Sequence, residues 1–121
     1  MTSESTLFCQ VNTLATSPAD TAKKHVPVIS IPEVVKVGQP FTVTIKVGEV
    51  PHVMENGHFI QFVDLYCGHI YISRVDFTAE LSRPEVSLSV VLHHQGKRPL
   101  RVFSRCNLHG IWEATKEVNV T

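Results

Sequence analysis

Phe41-Thr42-Val43-Thr44-Ile45-Lys46-Val47 alternates apolar and polar residues without a break, and five of its seven side chains are β-branched. That period belongs to a half-buried strand whose odd positions face a core and whose even positions face water. Working outward, short runs rich in Val, Ile, Phe and Thr recur over 26–31, 33–37, 59–66, 70–81, 86–92, 99–104 and 111–120. Turn formers punctuate them at Gly38-Gln39-Pro40, Cys67-Gly68, Ser82-Arg83-Pro84 and Gln95-Gly96-Lys97, which is hairpin spacing. No stretch sustains a helical period. The pattern predicts an all-β chain, an immunoglobulin-like antiparallel β-sandwich of about seven or eight strands.

A chain of 121 residues has the length of one domain. At that size folding buries roughly two-thirds of the surface the unfolded chain exposes, so no disulfide staple is needed. Eleven Lys plus Arg balance eleven Asp plus Glu. With no net charge there is no global field for nucleic acid or an anionic membrane, and any attraction for an anion must be local. Cys9, Cys67 and Cys106 are odd in number and irregularly spaced, which argues against a disulfide framework and for a reducing, cytoplasmic compartment. Residues 1–22 are rich in Ser and Thr without a clear period and are expected to form an N-terminal arm ahead of one domain over 23–121. The first twenty residues have no basic n-region and no apolar h-region, and no segment approaches the roughly 18 apolar residues that span a bilayer. Neither export nor a membrane anchor is expected.

Seven histidines are many for this length, and four of them, His25, His52, His58 and His109, fall at predicted strand ends or in loops. Loops on a rigid sandwich are where ligands can converge. His25 is expected at the start of a strand, beside Lys24 and Pro27. His52 and His58 bracket Val53-Met54-Glu55-Asn56-Gly57, a loop able to bring both imidazoles to one ion. Cys106-Asn107-Leu108-His109 sets a thiolate and an imidazole three residues apart, and Gly110 lets the backbone turn away. Alone, Cys-x-x-His is a weak signal. Together, one thiolate and four imidazoles disfavour zinc, which takes four tetrahedral ligands, and magnesium or calcium, which want oxygen. Iron with five ligands and an open sixth position fits better, and a thiolate on such an iron favours electron transfer to a bound oxygen species.

Lys24-His25-Val26-Pro27, Pro51-His52-Val53-Met54-Glu55 with His58, and Cys106-Asn107-Leu108-His109-Gly110 with Trp112 resemble the superoxide reductase family, over about residues 23–117. The resemblance implies an immunoglobulin-like fold and one mononuclear iron, Fe(2+)/Fe(3+). It places His25, His52, His58 and His109 around the metal, Cys106 axial, and superoxide at the vacant sixth position. It also implies reduction of superoxide by one electron to hydrogen peroxide, resupply by a rubredoxin-like electron donor, and a homotetramer. With no four-cysteine rubredoxin-like set, the chain resembles the one-iron, neelaredoxin-type members. Lys24, adjoining a ligand, is assigned the catalytic role of attracting superoxide and helping to protonate the product. Two departures stand out: Lys23 where the family usually carries glutamate, and Val53 where it more often carries proline. The first leaves no carboxylate placed by the motif to cap the ferric ion, with Glu49 and Glu55 as substitutes.

Other readings stay open. The same iron can dismutate superoxide, or the fold can be a binding module whose histidines and cysteine hold a structural zinc. Cys67-Gly68-His69 reads as a plain turn lacking partners elsewhere in the sequence, and His93-His94 as a solvated turn. Cys9 reads as a small packed residue, and Trp112 and Phe103 as core residues.

Overall fold

Val43, Ile45 and Val47 are fully buried and Phe41 nearly so, while Thr42 is exposed, so the alternating heptapeptide is a strand with its odd positions inward. The computed structural model describes residues 7–121; the first six residues of the expected arm lie outside them. Among the described residues, the helix α1 (Ala19–His25) is followed by eight strands: β1 (Pro27–Ser30), β2 (Val34–Val35), β3 (Phe41–Val47), β4 (Ile60–Cys67), β5 (Ile70–Asp76), β6 (Glu85–Val90), β7 (Gly96–Cys106) and β8 (Gly110–Val120). They form a three-stranded sheet, β1-β3-β6, and a five-stranded sheet, β2-β8-β7-β4-β5.

The core lies between the sheets. Val43, Ile45 and Val47 belong to the same buried cluster as Ile60, Val63 and Leu65 of β4, Leu100, Val102 and Cys106 of β7, and Val118 and Val120 of β8. Every pairing is antiparallel except the two-residue β2, which lies parallel to β8. Pro32, between β1 and β2, has no N–H for a ladder, and here the chain leaves the smaller sheet for the larger.

Two expectations are corrected. The run over 70–81 ends as a strand at Asp76, because Thr78 and Ser82 close a turn in which Ser82 Oγ accepts from Thr78 N–H at 2.8 Å and donates to Thr78 O at 2.9 Å. His25 does not begin a strand: it is the last residue of α1. Seven residues are too few for a helical period to show, yet Asp20 in the first turn and Lys23, Lys24 and His25 in the last match the sign of the helix dipole at each end. Ala22 and His25 are the buried residues of α1, and Ala22 clusters with Leu7 and Trp112.

Candidate metal centre

Three segments converge at the end of the sandwich where β4 begins and β7 ends: the last turn of α1, the loop between β3 and β4, and the β7–β8 hairpin. The loop is stitched to the helix by backbone hydrogen bonds from Gly48 N–H to Val26 O (3.1 Å) and from Val50 N–H to Lys23 O (3.2 Å). Gly48 sits at φ +90, and a Cβ there would stand 2.3 Å from Val50 O and 2.8 Å from Lys24 O, so the close approach requires glycine. Further along, Glu55 and His58 exchange two backbone hydrogen bonds of 3.0 Å, closing a turn around Gly57. Asn107 ties that turn to the hairpin, with its Oδ1 accepting from Phe59 N–H and its Nδ2 donating to Gly57 O, both at 2.9 Å. The hairpin loop is short because Cys106 pairs with Gly110, whose φ of +80 reverses the chain.

These tethers aim the side chains. His25 donates from Nδ1 to Thr21 O (2.7 Å), and its ring stacks on buried Trp112 at 4.8 Å and 20°. Its carbonyl accepts from Ser104 Oγ at 2.9 Å, and Trp112 Nε1 donates to His109 O at 3.1 Å. His52 donates from Nδ1 to Val53 O at 2.6 Å. A carbonyl only accepts, so in both residues the proton is on Nδ1 and Nε2 carries a lone pair.

The four imidazoles make a closed circuit. Ring centroids lie 4.7 Å apart for His25 and His52, 4.9 Å for His52 and His58, 5.3 Å for His58 and His109, and 4.8 Å for His109 and His25. Donor atoms of His25, His58, Cys106 and His109 lie within 4.8 Å of one another, and His52 joins them through its Nε2, 3.2 Å from His25 Nε2. Cys106 is buried, its Sγ 3.4 Å from His109 Nδ1.

The arrangement fits a cation. With both Nδ1 atoms protonated, no hydrogen lies between the facing Nε2 atoms of His25 and His52, and two lone pairs oppose each other. His58 Nε2 is buried with no hydrogen-bond partner, a position that costs free energy unless something accepts its lone pair. Burial is the main reason the His25 and His52 pKa values fall to about 4; repulsion among the imidazoles adds to it, and the hydrogen bonds to Thr21 and Val53 oppose it in part. Both rings are therefore neutral at pH 7, the form that can bind a metal. The donor set, nitrogen and sulfur without carboxylate, suits a transition metal rather than magnesium or calcium.

A cleft of ≈ 550 Å³ opens onto His25, His52, His58 and His109. Lys24 lines it, exposed, together with Asp20 and Glu55, two exposed carboxylates. Lys23 and Glu49 are exposed residues outside its lining. The sequence reading missed Asp20, Thr21, Ser104 and Asn107. Thr21 and Asp20 lie four and five residues before His25, a relation visible only once α1 is recognised. Trp112 is fully buried as expected but also supports the His25 ring. Phe103 is corrected: it lies half-buried with Tyr66 and Arg101, ring centroids 5.7 Å apart and the guanidinium 5.1 Å away, and is no part of the core cluster. Cys9, expected to pack, is exposed.

Comparison with known proteins agrees with this geometry. The family model described as desulfoferrodoxin matches residues 17–115. A Methanocaldococcus jannaschii protein provisionally named a superoxide reductase is 43% identical over 116 residues, covering 93% of this chain and 97% of the relative. The superoxide reductase of Pyrococcus furiosus is 34% identical over 108 residues, covering 75% and 85%. Among solved structures, a variant of the superoxide reductase (neelaredoxin) of Ignicoccus hospitalis superposes with a TM-score of 0.85 at 34% identity, covering 100% of both chains.

Proposed function

Because this chain belongs to the desulfoferrodoxin family and is an oxidoreductase that reduces superoxide, we propose that His25, His52, His58, His109 and Cys106 together hold one iron ion for that reaction. The observation that carries the assignment is the circuit of four imidazoles, with the orphaned His58 Nε2 and the Cys106 sulfur beside it. Iron bound there supplies the single electron that superoxide takes up. Everything else falls to the chain itself. The two Nδ1–H bonds to backbone carbonyls keep His25 and His52 in one tautomer, so their Nε2 lone pairs are ready without reorganisation. Lys24 at the cleft attracts the anion and carries protons near the two that the product needs, since superoxide plus one electron plus two protons gives hydrogen peroxide.

The donor of the next electron is a small rubredoxin-like protein and the assembly a homotetramer, both supported by the family resemblance. A cytoplasmic setting is supported by the odd number and irregular spacing of the three cysteines in the sequence. Family membership sets aside the zinc-holding binding module. Dismutation is separated by stoichiometry: the iron-loaded protein should consume superoxide only with an external reductant and release no oxygen. Metal analysis should give about one iron per chain, and oxygen evolution without reductant, or zinc in place of iron, would reject the proposal.

A further inference from the structure

The opposite end of the sandwich holds a second set of sulfur and nitrogen donors. β4 runs from Ile60, paired with Cys106, to Cys67, paired with Leu100. Seven residues at about 3.3 Å each put this end about 23 Å from the first site. A cleft of ≈ 620 Å³ here is lined by Cys67, the last residue of β4, by His69 of the β4–β5 turn, and by His93 and His94 from the segment leading into β7. In sequence the two pairs are unrelated. The β4–β7 pairing brings them together, helped by Gly68 N–H donating to Pro99 O at 2.9 Å. Arg98 lines the same cleft and fixes the histidine segment, donating from Nε to His94 O at 3.3 Å and from Nη2 to Gln95 O at 2.5 Å.

We propose that this cleft is a second metal site, taking a soft or borderline d10 cation of the Zn(2+) or Cu(+) class through Cys67, His69 and one of His93 and His94. The ligand types select the ion: a thiolate with imidazoles and no carboxylate prefers such cations over magnesium, calcium or manganese. Cys67 is the anchor, half-buried on a strand and packed against the core cluster. His69, His93 and His94 are exposed, and a bound cation would draw their rings onto the sulfur by changes of side-chain rotamer. One of the adjacent His93–His94 pair serves, and water completes a tetrahedron. Binding releases the thiol proton to solvent. No electron moves, so the site needs no redox partner.

The test uses the iron-loaded protein, whose first site is filled, titrated with Zn(2+) by calorimetry. The expected result is one further equivalent per chain that binds at least about tenfold more weakly in Cys67→Ser and in His69→Ala, a loss of the size that removing a metal-site interaction brings. His69→Ala alters an exposed turn residue and keeps the test valid should Cys67→Ser misfold. Zinc should also protect Cys67, and not Cys9, from alkylation as read by peptide mass spectrometry, with the rate of superoxide reduction unchanged. No further equivalent, equal affinity in the variants, or protection of neither thiol would overturn the proposal. The iron assignment would be untouched by that failure, because the two sites share no residue.

Discussion

The two ends of the sandwich carry the same kinds of side chain, a cysteine with three or four histidines, beside clefts of ≈ 550 and ≈ 620 Å³. Among the described residues, donor atoms are gathered within 4.8 Å of one another at the end holding Cys106. Ligand type is therefore not what distinguishes them. At the Cys106 end His25 and His52 are held by Nδ1 bonds to backbone carbonyls, the two loops are tied by Asn107, and His25 rests on Trp112. At the Cys67 end the imidazoles are exposed and the fixed element is the backbone that Arg98 grips. One end has its ordering entropy settled by folding; at the other, binding must supply it, at about 0.5–2 kcal/mol for each side chain immobilised.

The sharpest way to break this contrast is to remove sulfur from each end in turn. Cys106→Ser should abolish nearly all superoxide reduction and the sulfur-to-iron charge-transfer colour, because the thiolate is the strongest electron donor of the set. Cys67→Ser should leave both intact. A Cys106→Ser protein that keeps its colour and rate would show that the gathered sulfur is not on the metal.

A smaller effect is expected from loosening a tether while keeping every proposed ligand. Asn107→Ala deletes both hydrogen bonds that join the His58 turn to the Cys106 hairpin. Iron affinity, measured by competition with a chelator, should fall about 10–100-fold, the range typical of such supporting interactions. Asn107→Asp retains an acceptor for Phe59 N–H and should recover part of the loss. Affinity unchanged in Asn107→Ala would mean that the loops are held by their backbones alone.

The two ends also differ in how far the sequence revealed them. Strands were legible because burial writes a period of two, as in 41–47, where all four odd positions are buried. The four histidines and Cys106 were legible because each interrupts that period at a strand end or loop. Helix α1 was not, since two turns leave no room for repetition, and with it went Thr21 and Asp20. Asn107 looked like a turn residue because its partners, Gly57 and Phe59, lie about 50 positions away and are brought near only by strand pairing. The same long-range pairing joins Cys67-Gly68-His69 to His93-His94, which in the sequence read as two unrelated turns.

The smallest effects belong to the exposed charges at the cleft of the Cys106 end, where the structure alters the sequence reading. The sequence reads Lys24 as a local attractor in a chain without net charge. It shares the cleft with Asp20 and Glu55, so its charge is set against two exposed carboxylates. Superoxide, an anion, thus meets opposing fields rather than a funnel. Lys24→Ala should slow the bimolecular step, whereas Asp20→Asn and Glu55→Gln should hasten it. Each change should stay within roughly fivefold, because one exposed charge near 4 Å in water is worth about 1 kcal/mol and less beyond. Lys23→Ala, outside the cleft lining, should move the rate least. All four differences should shrink as salt rises, since the Debye length is about 8 Å at physiological ionic strength. Pulse radiolysis of the reduced enzyme across ionic strengths measures them directly. If Asp20→Asn and Glu55→Gln leave the low-salt rate unchanged while Lys24→Ala lowers it, the two carboxylates do not feel the entering anion. Lys24 would then act at the reacting oxygen itself, as a proton donor rather than an attractor, and its effect should survive high salt.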